Sequence, residues 1–279
     1  MFRKIAIAIA FSPRQQALLA EGRRLQQLFG AQLLLVHVGE RTPDKEAELQ
    51  RQLSELAVEP QGVSVFWEEG DAAQQILALS RGQGVDLLLA GALKKENLIR
   101  YYIGSVARKI LRQATFPVLM LIEPQRTPRP FKRIVIHAGT KEGAPATIKA
   151  GCGIARLEAA RQVHIVKDVK MWGLTMALAG EAPEHEYSDT RRSLLQDQID
   201  RVQRMVDQCD ECRGLRINIK VAAGKSGYEL SKFSRQAEAD LLVTETPHRN
   251  LNIFDRMFSH DLEYLLADLP TNLLLVPQE

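Results

Sequence analysis

Residues 91–111, GALKKENLIRYYIGSVARKIL, carry the arrangement in this chain best suited to chemistry. Gly91 ends an apolar run, DLLLAG, Gly104-Ser105 opens a helical pattern, and Lys94, Lys95 and Arg100 stand between them. Glycines let backbone come close to a ligand. The free N–H groups and positive dipole end of a helix start favour an anion. The chemistry offered is the holding of a phosphate. Arg108, Lys109 and Arg112 extend the positive charge onto the following helix, where they read either as a solvated face or as part of an anion site.

Other reactive residues make weaker patterns. Cys209-x2-Cys212 has the spacing of a redox or zinc pair, but no second pair exists and Cys152 is remote in sequence. The cysteines therefore read as incidental, with a redox role as the alternative. Of six histidines, His37 and His164 fall in strand patterns, and His248 and His260 stand 12 apart across a loop without the acidic or cysteine partners of a metal site. There is no nucleophile elbow, HExxH, Walker A or Ser-His-Asp pattern. No catalytic residue and no metal ligand is expected.

The elements that position the loop alternate. KIAIAIAF, AQLLLVHV, VSVFWEEG, DLLLAG and PVLMLIE read as strands. Between them are helices with Leu18, Leu25 and Leu28 on one face, with Leu49, Leu53 and Leu56 on another, and with Asp71 as an N-cap. Gly30 suits a helix C-cap. Strand–helix alternation without hairpin signals predicts a parallel sheet covered on both faces. After PQRTPRPF, a stiff connector, the pattern restarts. FKRIVIHAG echoes MFRKIAIAIA, and AARQVHIVKDV echoes GAQLLLVHVGE at an offset of 129. KVAAGKSGYELSKFSRQAEADLLVTET echoes VFWEEGDAAQQILALSRGQGVDLLLAG at 154. The excess is an insertion at about 170–210, with Leu195, Ile199, Val202 and Val206 on a core-facing stripe and a short apolar segment around Trp172 and Met176 that could be a lid or partner surface. Two α/β domains of like design are expected, 1–126 and 127–279.

Bulk properties bound the function. The 279 residues are 45% hydrophobic, enough for real cores, and 37 basic against 34 acidic groups leave a net charge of only +3. A large nucleic-acid footprint is not indicated. Three cysteines fit a reducing compartment. MFRKIAIAIAF superficially resembles a leader, but Ile5, Ile7 and Ile9 suit a buried strand. No apolar run approaches a membrane span, and a cytoplasmic protein is expected.

The combination of KIAIAIAFSP, GAQLLLVHV, EEGDAAQQIL, DLLLAG and GSVARKILRQATFPVLML resembles a universal stress protein domain, and the likeness recurs in VAAGKSGYEL and ADLLVTET. The resemblance implies a tandem member, with five-stranded parallel sheets flanked by helices as in adenine-nucleotide-binding α/β folds. Nucleotide-binding members carry Gly-x2-Gly-x9-Gly-Ser/Thr after the fourth strand. Here Gly91, Lys94 and Gly104-Ser105 take those positions, with lysine in place of the middle glycine. Lysine is strained there if the position needs φ > 0. Val38 matches the place where backbone meets adenine. Ala10 stands where those members carry an acid.

In the second copy Glu245, His248 and Phe258 replace the three glycines and only Ser259 survives, so no triphosphate is expected there. His248, Arg249, Asp255, Arg256 and His260 form a polar cluster on that loop. The reading is a non-catalytic stress-response or regulatory protein whose first domain accepts ATP or AMP at Val38, Gly91, Lys94, Gly104 and Ser105. The alternatives are a nucleotide-independent adaptor for a protein partner and a weak ATP hydrolase. The resemblance also implies that PVLMLIE and NLLLVPQ pair within one chain as a pseudo-dimer, with a homodimer as a further option.

Overall fold

The protein is described from a computed structural model, which covers residues 1–58, 62–94, 101–169, 184–224, 226–246 and 260–278. The chain divides into two compact units, the first comprising Met1–Pro130 and Asn272–Leu275, the second Phe131–Thr271 and Val276–Glu279.

The first unit begins β1 (Lys4–Ile9), α1 (Gln15–Phe29), β2 (Gln32–Val38), α2 (Pro43–Glu55), β3 (Val63–Glu68), α3 (Ala72–Gly82) and β4 (Leu87–Gly91). A small antiparallel pair follows, β5 (Leu93–Lys94) and β6 (Tyr101–Tyr102), then α4 (Ser105–Gln113) and β7 (Val118–Leu121). Its five main strands lie in the order β3-β2-β1-β4-β7 and all pair in parallel. Their runs are apolar because helices cover both faces: Ile5, Ile7, Leu35, Leu88 and Leu89 are completely buried. Gly30 closes α1 in the left-handed conformation at φ +63°. The Asp71 side chain caps α3 by accepting the Gln74 amide at 2.9 Å.

The second unit repeats the design with β8 (Arg133–His137), α5 (Ala144–Leu157), β9 (Gln162–Val169), α6 (Glu184–Gln208), β10 (Ile217–Ala223), α7 (Ser226–Gln236), β11 (Leu241–Glu245) and α8 (His260–Ala267). Strands β10-β9-β8-β11 are all parallel. The insertion contributes α6, which packs on β9 and β10. Val202 of its stripe is buried, and Leu195, Ile199 and Val206 are half-buried. The segment around Trp172 and Met176 lies outside the described residues. The last strand, β12 (Asn272–Val276), pairs antiparallel with β7, Leu274 opposite Leu119. Asn272–Leu275 belong to the first unit, and the pairing covers an apolar edge that would otherwise invite aggregation.

The repeat extends to single hydrogen bonds. The Asp86 carboxylate accepts the amides of Arg3 and Lys4 at 2.8 and 3.0 Å, and the Asp240 carboxylate accepts those of Lys132 and Arg133, both at 2.8 Å. Gln32 N donates to Arg3 O and Arg161 N to Lys132 O, each at 2.8 Å. Gly22 seats α1 on β1, because any Cβ there would run into Ile7 Cδ1. Gly151 seats α5 on β8, where a Cβ would meet Ile136 Cδ1 and Cγ1 at 2.5 Å. Among the described residues no helix is long and apolar enough to cross a membrane.

Candidate functional site

In the first unit the predicted residues gather where β2 and β4 end and α4 begins. Gly91 is the exposed last residue of β4, and among the described residues nothing lies within 4 Å of where a Cβ would stand. Gly104 is the N-cap of α4 in extended backbone, φ −66° and ψ 168°, without a side-chain cap; the first turn has no acidic residue, and Ser105 is exposed. A helix start left so holds N–H donors and partial positive charge for an anion. Lys94 lies in β5, opposite Tyr101. Its extended backbone does not require the left-handed conformation that would strain a lysine. The Lys94 side chain, Lys95 and Arg100 lie outside the described residues.

Val38 ends β2, half-buried and opposite Glu68 of β3. Gly39 follows at φ +146° and donates its amide to Glu68 O at 2.7 Å. Beside them is a cluster that sequence reasoning missed. Phe11, at φ +43°, lies nearly parallel to Trp67 with ring centroids 5.8 Å apart, and both rings meet His37 edge-on at 4.8 and 5.2 Å. The Gln15 side chain holds this turn by accepting the Phe11 amide at 2.6 Å. His37 is 7% exposed; its Nδ1 lies 3.1 Å from Ile9 O, which fixes the proton on Nδ1. Nε2 is then a buried acceptor, and among the described residues it has no hydrogen-bond partner. Arg14 Nη1 reaches Ala92 O at 3.4 Å and ties the loop after β1 to the residue beyond Gly91. Ala10 is exposed and supplies no carboxylate.

The second unit closes the matching place. Glu245, at the end of β11 where Gly91 ends β4, folds its carboxylate onto the loop before α5. It accepts the Thr140 amide at 2.7 Å and the Thr140 hydroxyl at 2.9 Å. The Gly143 amide in turn donates to Thr140 Oγ1 at 3.0 Å. Gly139 and Gly143 admit this carboxylate only because neither has a Cβ. The unit thus carries its own anion. The loop residues His248, Arg249, Asp255, Arg256, Phe258 and Ser259 lie outside the described residues, as does the His260 side chain.

A buried polar chain next to Glu245 was not foreseen either. His137 Nδ1 is 2.9 Å from Thr244 Oγ1, and Nε2 is 2.8 Å from Asp168 Oδ1. Burial raises the Asp168 pKa, but the His137 hydrogen bond and the charges of His137 and Lys167 outweigh it and hold the carboxyl at about 2. Thr244 is 3% exposed, so the chain braces β8, β9 and β11 rather than presenting a nucleophile. An open cavity of about 600 Å³ lies between this loop and α6, lined by Thr140, Lys141, Lys167, Arg201, Val202 and Met205. Burial, and after it the charge of Lys220, lower the pKa of His164 in β9. No three His, Cys, Asp or Glu side chains among the described residues are placed to hold a metal.

The universal stress protein family profile matches residues 1–121. No curated protein matches the chain. A functionally unknown protein from Pseudomonas aeruginosa PAO1 superposes with a TM-score of 0.70 at 20% identity, covering 99% of this chain and 93% of its own. A universal stress protein from Archaeoglobus fulgidus DSM 4304 superposes at 0.69 and 9% identity, covering 99% and 98%. At these identities the likeness is one of fold, and it spans both units.

Proposed function

We propose that this chain, whose residues 1–121 match the universal stress protein family profile, is a non-catalytic stress-response protein whose first unit alone accepts an adenine nucleotide. The observation that carries the reading is the contrast at one position: Gly91 leaves open the space that Glu245 fills with a carboxylate in the second unit. A phosphate at Gly91 and Lys94 would meet the N–H groups of Gly104 and Ser105. The base would lie at Val38, the half-buried end of β2.

A second reading has an observation of its own. Phe11 and Trp67 stack on each other beside His37, and Ala10 lacks the acid of nucleotide-binding members, which supports an adaptor that works without ligand. The test is to give the first unit the closure of the second. Gly91→Glu meets no atom of the described residues within 4 Å at its Cβ, so the fold should be retained. Thermal shifts of the wild type with millimolar ATP or AMP should vanish in Gly91→Glu. Equal shifts in both proteins would refute the placement, and no shift in either would leave the adaptor. Phosphate release from ATP by the wild type, lost in Gly91→Glu, would instead establish the hydrolase.

A further inference from the structure

The three cysteines read as incidental in the sequence, with Cys152 remote from the other two, yet the fold brings them together. Cys152 lies in the middle of α5, completely buried, and Cys212 ends the 3-10 turn Asp210–Cys212 at 5% exposure. Their sulfurs are 2.7 Å apart, across 60 residues of sequence. Cys209, the residue between α6 and that turn, is less buried, interacts with the Cys212 thiol and donates to Glu211 Oε2 at 3.5 Å. Arg156 Nη1, one helical turn from Cys152, holds the Asp210 carbonyl at 3.2 Å, so the turn is fixed to α5 independently of the sulfurs. All three cysteines of the chain are in this cluster.

We propose that this cluster is an oxidation site that closes a Cys152–Cys212 disulfide, with Cys209 as the entry thiol, and so fastens the C-terminal end of α6 to α5. The oxidant is a hydroperoxide. The Cys209 sulfur attacks its O–O bond; a sulfur–oxygen bond forms, giving a sulfenic acid, and the alcohol (water, from hydrogen peroxide) leaves. Cys212 attacks the Cys209 sulfur, expels hydroxide and supplies the proton with which it departs as water. Cys152 then attacks the Cys212 sulfur and releases Cys209, which takes up the Cys152 proton. Two thiols lose two electrons, and the hydroperoxide becomes alcohol and water. Cys209 emerges as a thiol, which suits its position nearest the surface.

The surroundings set the pace and the consequence. Burial, with Cys212 and Glu211 adding to it, pushes the Cys209 thiol up to about 12, and the Cys152 sulfur and burial raise Cys212 as well. Thiolate is therefore scarce at neutral pH, and the cluster answers sustained oxidant rather than brief exposure. Val202 and Met205 of α6 line the 600 Å³ cavity, so the bond would fasten the helix that forms one wall of it. Neither the Gly91 site nor a bound nucleotide enters the argument.

The test uses the full chain, reduced and then exposed to hydrogen peroxide for graded times, followed by alkylation and peptide mapping without reductant. The expected product is a Cys152–Cys212 linked peptide two hydrogens lighter than its parts, with Cys209 alkylated. The melting temperature should rise by roughly 5–10 °C and fall back on reduction. Cys209→Ser should slow formation under peroxide at least tenfold yet still reach the same bond with diamide, an oxidant that needs no sulfenic acid. Cys152→Ser should be unable to form it under either. A stable Cys209–Cys212 bond, disulfides only between chains, or three thiols still alkylatable after diamide would each overturn the assignment, and a peroxide rate unchanged in Cys209→Ser would overturn the entry role of Cys209.

Discussion

At the scale of single residues, charge placement separates the two halves. Glu245 sits with its carboxylate against the Thr140 amide and hydroxyl, and Asp168 is paired to His137. The Asp168 pairing carries a prediction. Its folded pKa of about 2 lies below the ordinary 3.8, so its contribution to stability is complete above about pH 4 and fades as pH falls towards 2. Asp168→Asn should cost about 2 kcal/mol in urea unfolding at pH 7, and the difference from wild type should shrink below pH 4. A difference that stays constant with pH would contradict the pairing. That Gly91 ends a strand and Gly104-Ser105 open a helix was legible in the sequence, because strand ends and helix starts are local properties. The Phe11–His37–Trp67 cluster was not, because nothing local signals a phenylalanine at positive φ or rings brought together from three strand ends. The cysteine cluster was hidden for the same reason: Cys152 and Cys212 are 60 positions apart, with the insertion between them.

At the scale of elements, alternating strand and helix patterns gave the parallel order correctly, because apolar runs flanked by amphipathic helices have few other ways to be buried. The offsets of 129 and 154 identified matching strands, and the structure places the same aspartate clasp and the same helix-seating glycine at those offsets. The two glycines are not equivalent in cost. At Gly22 a Cβ displaces chiefly the terminal methyl of Ile7, whereas at Gly151 it meets both Cδ1 and Cγ1 of Ile136 at 2.5 Å. Gly151→Ala should destabilise by about 2 kcal/mol and Gly22→Ala by about half that, read from urea midpoints at constant m-value. The reverse order would show that α5 is less closely seated on β8 than its glycine implies. Sequence periodicity foresaw the stripe of α6 but not its role beside a cavity, since a stripe reports that a face is buried and not what lies past its edge.

At the scale of the whole molecule, two units of one design differ in what they do with the same place. The first leaves it open at Gly91 and keeps an uncapped helix start at Gly104; the second fills it with Glu245. Duplicated scaffolds of this kind can keep a ligand site in one copy while the other is relieved of it, because fold and site rest on different residues. The most direct measurement is the stoichiometry of ATP or AMP binding to the full chain by isothermal titration calorimetry. The account predicts one nucleotide per chain in the wild type, one in Glu245→Gln and none in Gly91→Glu. Two per chain in the wild type, or one that survives Gly91→Glu and disappears in Glu245→Gln, would place the site in the wrong half and contradict it.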